Sequence, residues 1–165
     1  MSFAGEIYRK MRSIFEDSPQ RFGWVDYFVA GSGRPVSYEQ VKWVKEKGIS
    51  TIISLTESPL PEDWVKELEI KYHHYPIKDH SAPDPHLLKE IVEKIIEEIE
   101  KGGRVLVHCA AGLGRTGVVL ASYLIVKKKI PPEEAIKIVR EIRPGSIESH
   151  QERSVYEFYE LINTS

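Results

Sequence analysis

Apolar residues recur along this chain in two patterns, short continuous runs and helical spacings of three to four residues. The short runs predict strands near Trp24–Val25, Phe28–Ala30, Thr51–Leu55, Lys71–Ile77 and Arg104–His108. The helical spacings predict helices over residues 3–15, near Ser37–Lys47 and Pro61–Glu67, between Asp84 and Gly102, from Arg115 to Lys127, and twice more before the C-terminus. Strands that alternate with helices predict an α/β fold, with a central, mainly parallel sheet of about four to five strands flanked by helices.

Several helix ends are marked by capping residues. Asp84 precedes Pro85, which predicts an N-cap followed by proline at the first helical position, and Gly102-Gly103 ends the same helix. Ser149-His-Gln-Glu152 matches a capping box and predicts the start of the last helix. The helix from Arg115 to Lys127 has almost no polar face, so we expect it at the centre of the fold.

The predicted N-terminal helix is amphipathic, with Ile7, Met11, Ile14 and Phe15 at helical spacing. Its basic residues suggest contact with a membrane surface, whereas the reading we favour is that it docks on its own domain. The domain organisation is therefore a helical extension over residues 1–20 and a single domain over residues 21–165.

Composition narrows the class of protein. The chain has 165 residues, 41% of them hydrophobic and 29% charged, with a net charge of −2, which is typical of one soluble globular domain. That balance favours neither nucleic acid nor a membrane as partner, and with no signal-peptide pattern we expect a cytoplasmic monomer. A single cysteine excludes an intrachain disulfide, and the single Asn and three Gln resemble thermophile compositions.

The segment His108-Cys-Ala-Ala-Gly-Leu-Gly-Arg-Thr116 lies between the most apolar strand and the most apolar helix. A strand, a glycine-rich turn and a helix N-terminus together form an anion site, because unpaired N–H groups and the helix dipole point to one place. The pKa of a cysteine is lowered in such a setting, which favours the nucleophilic thiolate. We therefore expect Cys109 to be a nucleophile facing a bound phosphate.

The remaining loop residues suit a phosphate ligand. The phosphate-binding positions are Ala110, Ala111, Gly112, Leu113, Gly114 and Arg115. The glycines let the backbone approach closely, and Arg115 offers two parallel donors to two phosphate oxygens. We expect the hydroxyl of Thr116 to donate to the sulfur when the thiolate leaves.

Two other readings of this segment carry less weight. A lone cysteine is usually a small buried hydrophobic residue. Gly112-Leu-Gly-Arg-Thr-Gly117 also fits the dinucleotide-binding pattern, but that unit needs a second parallel strand after the helix. Here Lys127-Lys-Lys-Ile-Pro-Pro132 and a further helix follow instead.

His108-Cys-x5-Arg115-Thr116 resembles the signature loop of the protein tyrosine phosphatase superfamily. Leu120-Ala-Ser-Tyr-Leu124, Arg143-Pro-Gly-Ser-Ile147 and Tyr75-Pro-Ile-Lys-Asp79 are similar to segments of the small atypical dual-specificity phosphatases and their archaeal relatives. The resemblance covers roughly residues 22–160. It implies a phosphatase that works through a phosphocysteine intermediate, needs no cofactor and no metal, and acts on a phosphorylated protein.

A general acid must protonate the leaving group, and two carboxylates compete for that role. Asp84 already has a function as the helix cap, whereas Asp79 ends a strand and begins a loop that we expect to be flexible. The resemblance places the general acid on this loop and implies Asp79.

The resemblance also suggests supporting residues. His108 is implied to shape the hydrogen bonds behind the thiolate, with a purely structural histidine as the alternative. Glu148 falls in the segment that positions the attacking water in relatives, where Gln is common, so it either has that role or is an exposed carboxylate. His73 and His74 are adjacent in a strand and point to opposite faces, which disfavours a metal site.

The variable loop positions narrow the substrate. Relatives that act on phosphoinositides carry lysines inside the signature loop, and here Ala110, Ala111 and Leu113 are uncharged. We therefore expect phosphotyrosine, with phosphoserine or phosphothreonine, rather than a phosphoinositide or an RNA 5′-phosphate. A phosphate-binding pseudophosphatase is the alternative from another class, although such chains usually lose the cysteine or the arginine that this one keeps.

Overall fold

The structure is a computed structural model that describes residues 3–5, 7 and 17–164. Residues 3–5 and 7 are helical, and the rest of the helix predicted over residues 3–15 lies outside the described residues. The division into residues 1–20 and 21–165 stays a prediction. Among the described helices, none is long and apolar enough to cross a membrane.

A mixed sheet forms the centre of the described chain. Its five strands are β1 (Gly23–Trp24), β2 (Val29–Ser32), β3 (Thr51–Ser54), β4 (Lys71–His74) and β5 (Val105–His108). The order is β1-β2-β5-β3-β4, with β1 antiparallel to β2 and all other neighbours parallel. The predicted α/β fold with a mainly parallel sheet is confirmed, and β5 occupies its middle.

Helices cover both faces of this sheet. They are α1 (Tyr38–Glu46), α2 (Glu62–Glu67), α3 (Pro85–Glu100), α4 (Gly114–Lys128), α5 (Pro132–Ile142) and α6 (Glu152–Thr164). Alternate strand residues point to opposite faces, so Ile52 belongs to the core that includes residues of α1 and α2, while Ile53 belongs to the core that includes residues of the other four helices. Helix α4 is buried on every side over most of its length, as its sequence predicts.

Strand β4 ends three residues before its predicted end. Pro76 has no N–H to donate to a strand ladder, so the regular pairing stops at His74. The chain nevertheless stays beside β3, because Tyr75 N donates to Ser54 O and Ile77 N donates to Leu55 O at 2.9 and 3.0 Å. This extension carries residue 79 to the carboxyl edge of the sheet.

One predicted helix cap is confirmed and the other is wrong. Asp84 Oδ1 accepts a hydrogen bond of 2.7 Å from His86 N at the start of α3. The predicted capping box from Ser149 to Glu152 is shifted by one residue, because a 3-10 turn over Ser149–Gln151 precedes α6 and Glu148 is its N-cap. Glu148 N donates to Gln151 Oε1 at 3.0 Å.

The cap at Asp84 leads to a stability prediction. Asp84→Ala removes the acceptor for the first turn of α3 and should lower the free energy of unfolding by about 1 kcal/mol in urea titrations. Asp84→Asn should retain most of that free energy, because Asn caps helices well. Equal stability of the alanine variant and the parent would contradict the assignment.

Candidate active site

Cys109 lies where the central strand ends and the central helix begins. It follows β5 directly, is 2% exposed, and faces the N-terminus of α4 across the four-residue loop 110–113. Gly112 N lies 3.3 Å from Cys109 Sγ and donates to it. The sulfur is therefore held inside the loop rather than within the apolar core alone.

All four loop carbonyls accept hydrogen bonds from outside the loop. Ala110 O accepts from Arg34 N (3.1 Å), Ala111 O from Arg21 Nη1 (3.2 Å), Gly112 O from Arg143 Nη2, and Leu113 O from Gly117 N (3.0 Å) and Ile147 N (3.2 Å). In a trans peptide the N–H points away from the C=O, and the described chain has no cis peptide. The amides of residues 111–114 consequently turn inward, where they form a set of anion donors beside Cys109.

Only glycine fits at position 112. Its φ is +82°, in the left-handed region. A Cβ built there would lie 2.4 Å from Gly33 N and 2.5 Å from Ser32 C. The loop can therefore close on the end of β2 only because residue 112 has no side chain.

Arg115, in the first turn of α4, is buried and only 2% exposed. Its Nη1 donates to Ile77 O and to Glu57 Oε1, both at 2.8 Å, and its Nη2 lies 3.2 Å from Asp79 Oδ1. Its Nε is buried without a hydrogen-bond partner among the described residues. The guanidinium is thus fixed at one end and keeps one donor available.

Glu57 is a site residue that the sequence patterns did not indicate. It lies in the loop after β3, 60% exposed, and its pKa is lowered chiefly by its own backbone N–H and next by the Arg115 guanidinium. Carboxyl ends of neighbouring parallel strands converge at one sheet edge. A carboxylate two residues after the predicted strand Thr51–Leu55 could therefore have indicated a site residue. Glu57 stabilises the orientation of Arg115.

The structure places Asp79 beside Arg115, half-exposed, on the loop from Lys78 to Pro83. Three side chains anchor this loop in the structure, and its expected flexibility stays a prediction. Its carbonyls accept hydrogen bonds from the 3-10 turn before α6 and from the first turn of α6: His80 O from His150 Nε2, Ser81 O from Gln151 Nε2 (2.9 Å) and Pro83 O from Ser154 Oγ (2.7 Å). Sequence reasoning found none of these three side chains as anchors.

Glu148 also binds the loop of Asp79, through His80. The Glu148 carboxylate lies 3.1 Å from His80 Nδ1, and His80 has a φ of +62°. The hydrogen bond that His80 donates to the Glu148 carboxylate raises the pKa of His80, and the charge of Asp79 adds to the effect. Glu148 is therefore close to Asp79, although the structure does not place it against Cys109.

His108 is fully buried at the end of β5. Its Nε2 is hydrogen-bonded to Ser54 Oγ, and its Nδ1 lies 3.3 Å from Cys109 O. Because a carbonyl only accepts, Nδ1 carries the proton and Nε2 accepts from the Ser54 hydroxyl. Burial lowers the pKa of His108 to about 3, so the ring is neutral at physiological pH.

The structure also bears on the expectations for Thr116 and for the adjacent histidines of β4. Thr116 Oγ1 is buried with no hydrogen-bond partner among the residues described, so its predicted bond to sulfur is not formed in this arrangement. His74 Nε2 is bonded to Thr56 O at 2.6 Å, whereas His73 Nε2 lies 3.8 Å from Glu98 on the other side. Over residues 3–5, 7 and 17–164, no cluster of three or more His, Cys, Asp or Glu side chains is arranged for a metal.

Comparison with known proteins defines the class to which this fold and loop belong. A model of the "Swiss Army Knife protein, DSP-PTPase phosphatase domain" family matches residues 19–156. The chain belongs to this family of dual-specificity and tyrosine phosphatase domains. The resemblance suggested by the signature loop is thereby confirmed.

Individual relatives act on different substrates. The chain is 31% identical to the tyrosine-protein phosphatase CDC14 homolog of Schizosaccharomyces pombe, over 81% of this chain and 22% of that protein. It is 28% identical to the phosphatidylglycerophosphate phosphatase PTPMT1 of Arabidopsis thaliana, over 96% of this chain and 49% of that protein. The chain thus spans about half or less of the length of these relatives.

Solved structures share the fold over nearly their whole length. Tk-PTP in its active form superposes with a TM-score of 0.78 at 30% identity, covering 85% of this chain and 97% of that one. Kinase-associated phosphatase, with its catalytic-site cysteine replaced by serine, has a TM-score of 0.79 at 26% identity and covers 91% and 99%.

The contact between His80 and Glu148 predicts a titration behaviour. In Glu148→Gln the pKa of His80 should fall towards the ordinary imidazole value, as measured by NMR, because the main group that raises it is neutralised. The pair stabilises the anchored loop at acidic pH, and that contribution disappears as the pH rises through the raised pKa. Glu157→Gln, on the exposed side of α6, is the control; an unchanged His80 titration in Glu148→Gln would refute the pairing.

Proposed function

We propose that this chain hydrolyses phosphotyrosine, and with it phosphoserine and phosphothreonine, in phosphoproteins through a phosphocysteine intermediate at Cys109. The observation that carries the proposal is the inward orientation of four successive loop amides around one cysteine, with Arg115 Nε as a further donor. Family membership supports the reaction class, and the names of the CDC14 relatives support a protein substrate.

In the first step the Cys109 thiolate attacks phosphorus opposite the leaving oxygen. The P–S bond forms, the P–O bond to the substrate breaks, and Asp79 gives its proton to the departing oxygen. The loop amides and Arg115 bind the three equatorial oxygens, whose charge they stabilise from fixed positions. Because Glu57 and Ile77 O already hold Nη1, Arg115 needs little reorganisation when phosphate binds.

In the second step water attacks the phosphocysteine. Asp79, now a carboxylate, accepts a proton from the water, the P–S bond breaks, and the thiolate returns as inorganic phosphate forms. We propose that Glu148 orients this water or positions the Asp79 loop through His80, which it contacts. Neutral His108 acts through its hydrogen bonds to Ser54 and to the Cys109 backbone rather than as a base.

A singly phosphorylated lipid is the second candidate substrate. The relative named as a phosphatidylglycerophosphate phosphatase aligns with 96% of this chain, and one phosphate monoester requires no lysine in the loop. Comparing kcat/KM for phosphotyrosine peptides, phosphothreonine peptides and phosphatidylglycerophosphate in mixed micelles separates the two. A clear preference for the lipid would overturn the protein-substrate proposal while leaving the reaction class intact.

The nucleophile is tested by substitution. Cys109→Ser should abolish hydrolysis of an aryl phosphate while it retains phosphate binding, because the amides and Arg115 remain in place. Parent activity should persist in EDTA and be blocked by vanadate, which adopts the five-coordinate geometry of the transition state. Turnover that persists in the serine variant, or strict dependence on added divalent metal, would refute the proposed mechanism.

The general acid is tested with two aspartates. Asp79→Ala should lower kcat by roughly 10²–10⁴, with a smaller loss for substrates whose leaving group is already a stable anion. The basic limb of the kcat/KM pH profile should flatten as well. The matched control, Asp84→Ala, should keep the parent kinetics and pH profile, and the reverse assignment holds if the two variants exchange behaviours.

A further inference from the structure

Arg143 is a buried cation beside the signature loop that the proposed mechanism does not use. It is 5% exposed and follows α5, within a segment that sequence reasoning used only for its resemblance. Its Nη1 donates to Arg21 O at 2.6 Å and to Gly31 O at 3.0 Å, and its Nη2 donates to Gly112 O. One guanidinium therefore joins the end of β2 to the loop that holds Cys109.

The bond to Gly112 O determines the direction of one peptide group. The Gly112–Leu113 peptide has its carbonyl drawn outward by Arg143, so the N–H of Leu113 points to the inside of the loop. Gly112 has a positive φ and no Cβ, so no side chain at position 112 restricts the orientation of this peptide. A fixed outside donor is thus needed for the amide to face a phosphate.

The positive charge of Arg143 is not paired with a carboxylate in the described part of the chain. Among residues 17–164 no carboxylate forms an ion pair with Arg143, whereas Arg115 is paired with Glu57 and Asp79. His108, the buried histidine next to Cys109, is neutral. A buried cation without a carboxylate partner is costly, so a nearby anion should interact with it strongly.

Other basic side chains near the loop are not both buried and bound only to backbone carbonyls. Arg21 is exposed and donates its side chain to Ala111 O, and Arg34 is partly exposed and donates its side chain to Thr56 Oγ1 and to carbonyls 58 and 59. His80 belongs to the Asp79 loop, where it faces Glu148. Arg143 is the buried guanidinium whose polar contacts are all backbone carbonyls.

Cys109 and Arg143 also influence each other electrostatically. Burial lowers the pKa of Arg143, and the charge of Cys109 acts in the opposite direction. Arg143 therefore belongs to the electrostatic surroundings of the nucleophile as well as to the hydrogen bonds that support its loop.

We propose that Arg143 is a positioning residue of the active site, whose bond to Gly112 O turns the Leu113 amide toward the phosphate. The proposal rests on the proposed function, and it concerns the loop rather than the identity of the substrate. The side chain contributes a forked geometry as well as a positive charge, and Arg143→Lys removes the first while it keeps the second.

The test compares Arg143→Met and Arg143→Lys with the matched control Arg140→Met. Arg140 lies one helical turn earlier and donates to Ser146 O and Ile147 O, so it supports the same segment without contacting residues 110–113. The measurements are the affinity for vanadate and, determined separately, kcat and KM for an aryl phosphate.

We expect the vanadate affinity and kcat/KM of Arg143→Met to fall by roughly 10²-fold, the effect of a misplaced group at a reacting centre. Most of the loss should lie in kcat, because the amide stabilises charge that develops in the transition state. Arg143→Lys should lose affinity as well, because one ammonium cannot hold three carbonyls from two sides. Arg140→Met should change neither quantity.

Parent-like vanadate affinity and kcat/KM in Arg143→Met, or equal losses in Arg140→Met, would overturn the proposal. If the methionine variant does not fold, the lysine variant decides, and unchanged vanadate affinity there would equally overturn it. Absence of turnover in the parent on every phosphoester would refute the proposed function instead. Vanadate binding would still compare the variants in that case.

Discussion

Four successive carbonyl groups between β5 and α4 are bound from outside their loop, and the proposed chemistry depends on this arrangement. A short loop at a helix N-terminus has several peptide groups whose direction local sequence does not determine. Here one carbonyl each is bound by Arg34 N, the Arg21 side chain, the Arg143 side chain and Ile147 N. The amides are thereby oriented before any phosphate arrives, which is the condition for electrostatic stabilisation at low reorganisation cost.

The same principle extends to the loop that carries Asp79. Its carbonyls are bound by His150, Gln151 and Ser154, three side chains from one short segment. Gln151 also lies against Gly114, where a Cβ would meet its Oε1 at 2.9 Å. Residues 150–154 thus couple the position of the proposed acid to the start of α4, so both halves of the site are held by one short segment.

Much of the architecture follows from the sequence, whereas the outer supports of the site do not. The apolar runs and the Asp84-Pro85 cap predict the sheet and α3 because they depend on local periodicity and one side-chain bond. The cysteine and Arg115 are recognisable because a strand, glycines and a helix start lie together in sequence. Glu57 and Arg143 come from distant segments, and their roles depend on which loops meet at the sheet edge.

The element boundaries that the sequence patterns predicted wrongly also have physical causes. Pro76 ends the pairing of β4 although the apolar pattern continues to Ile77, and a 3-10 turn shifts the cap before α6 to Glu148. Local patterns specify which residues face the core, but hydrogen-bond ladders determine where an element stops. The parts of the site that depend on such ladders therefore became visible only in three dimensions.

Capture of the covalent phosphocysteine is the sharpest test of Cys109 as the nucleophile. The protein is mixed with an excess of a fast aryl phosphate, quenched within milliseconds under conditions that preserve thiophosphates, digested, and analysed by mass spectrometry. The proposed mechanism predicts phosphate on the peptide that contains Cys109, and more of it when Asp79 is replaced by Ala and hydrolysis of the intermediate is slowed. Rapid turnover with no phosphate on that peptide at any quench time would contradict a phosphocysteine mechanism.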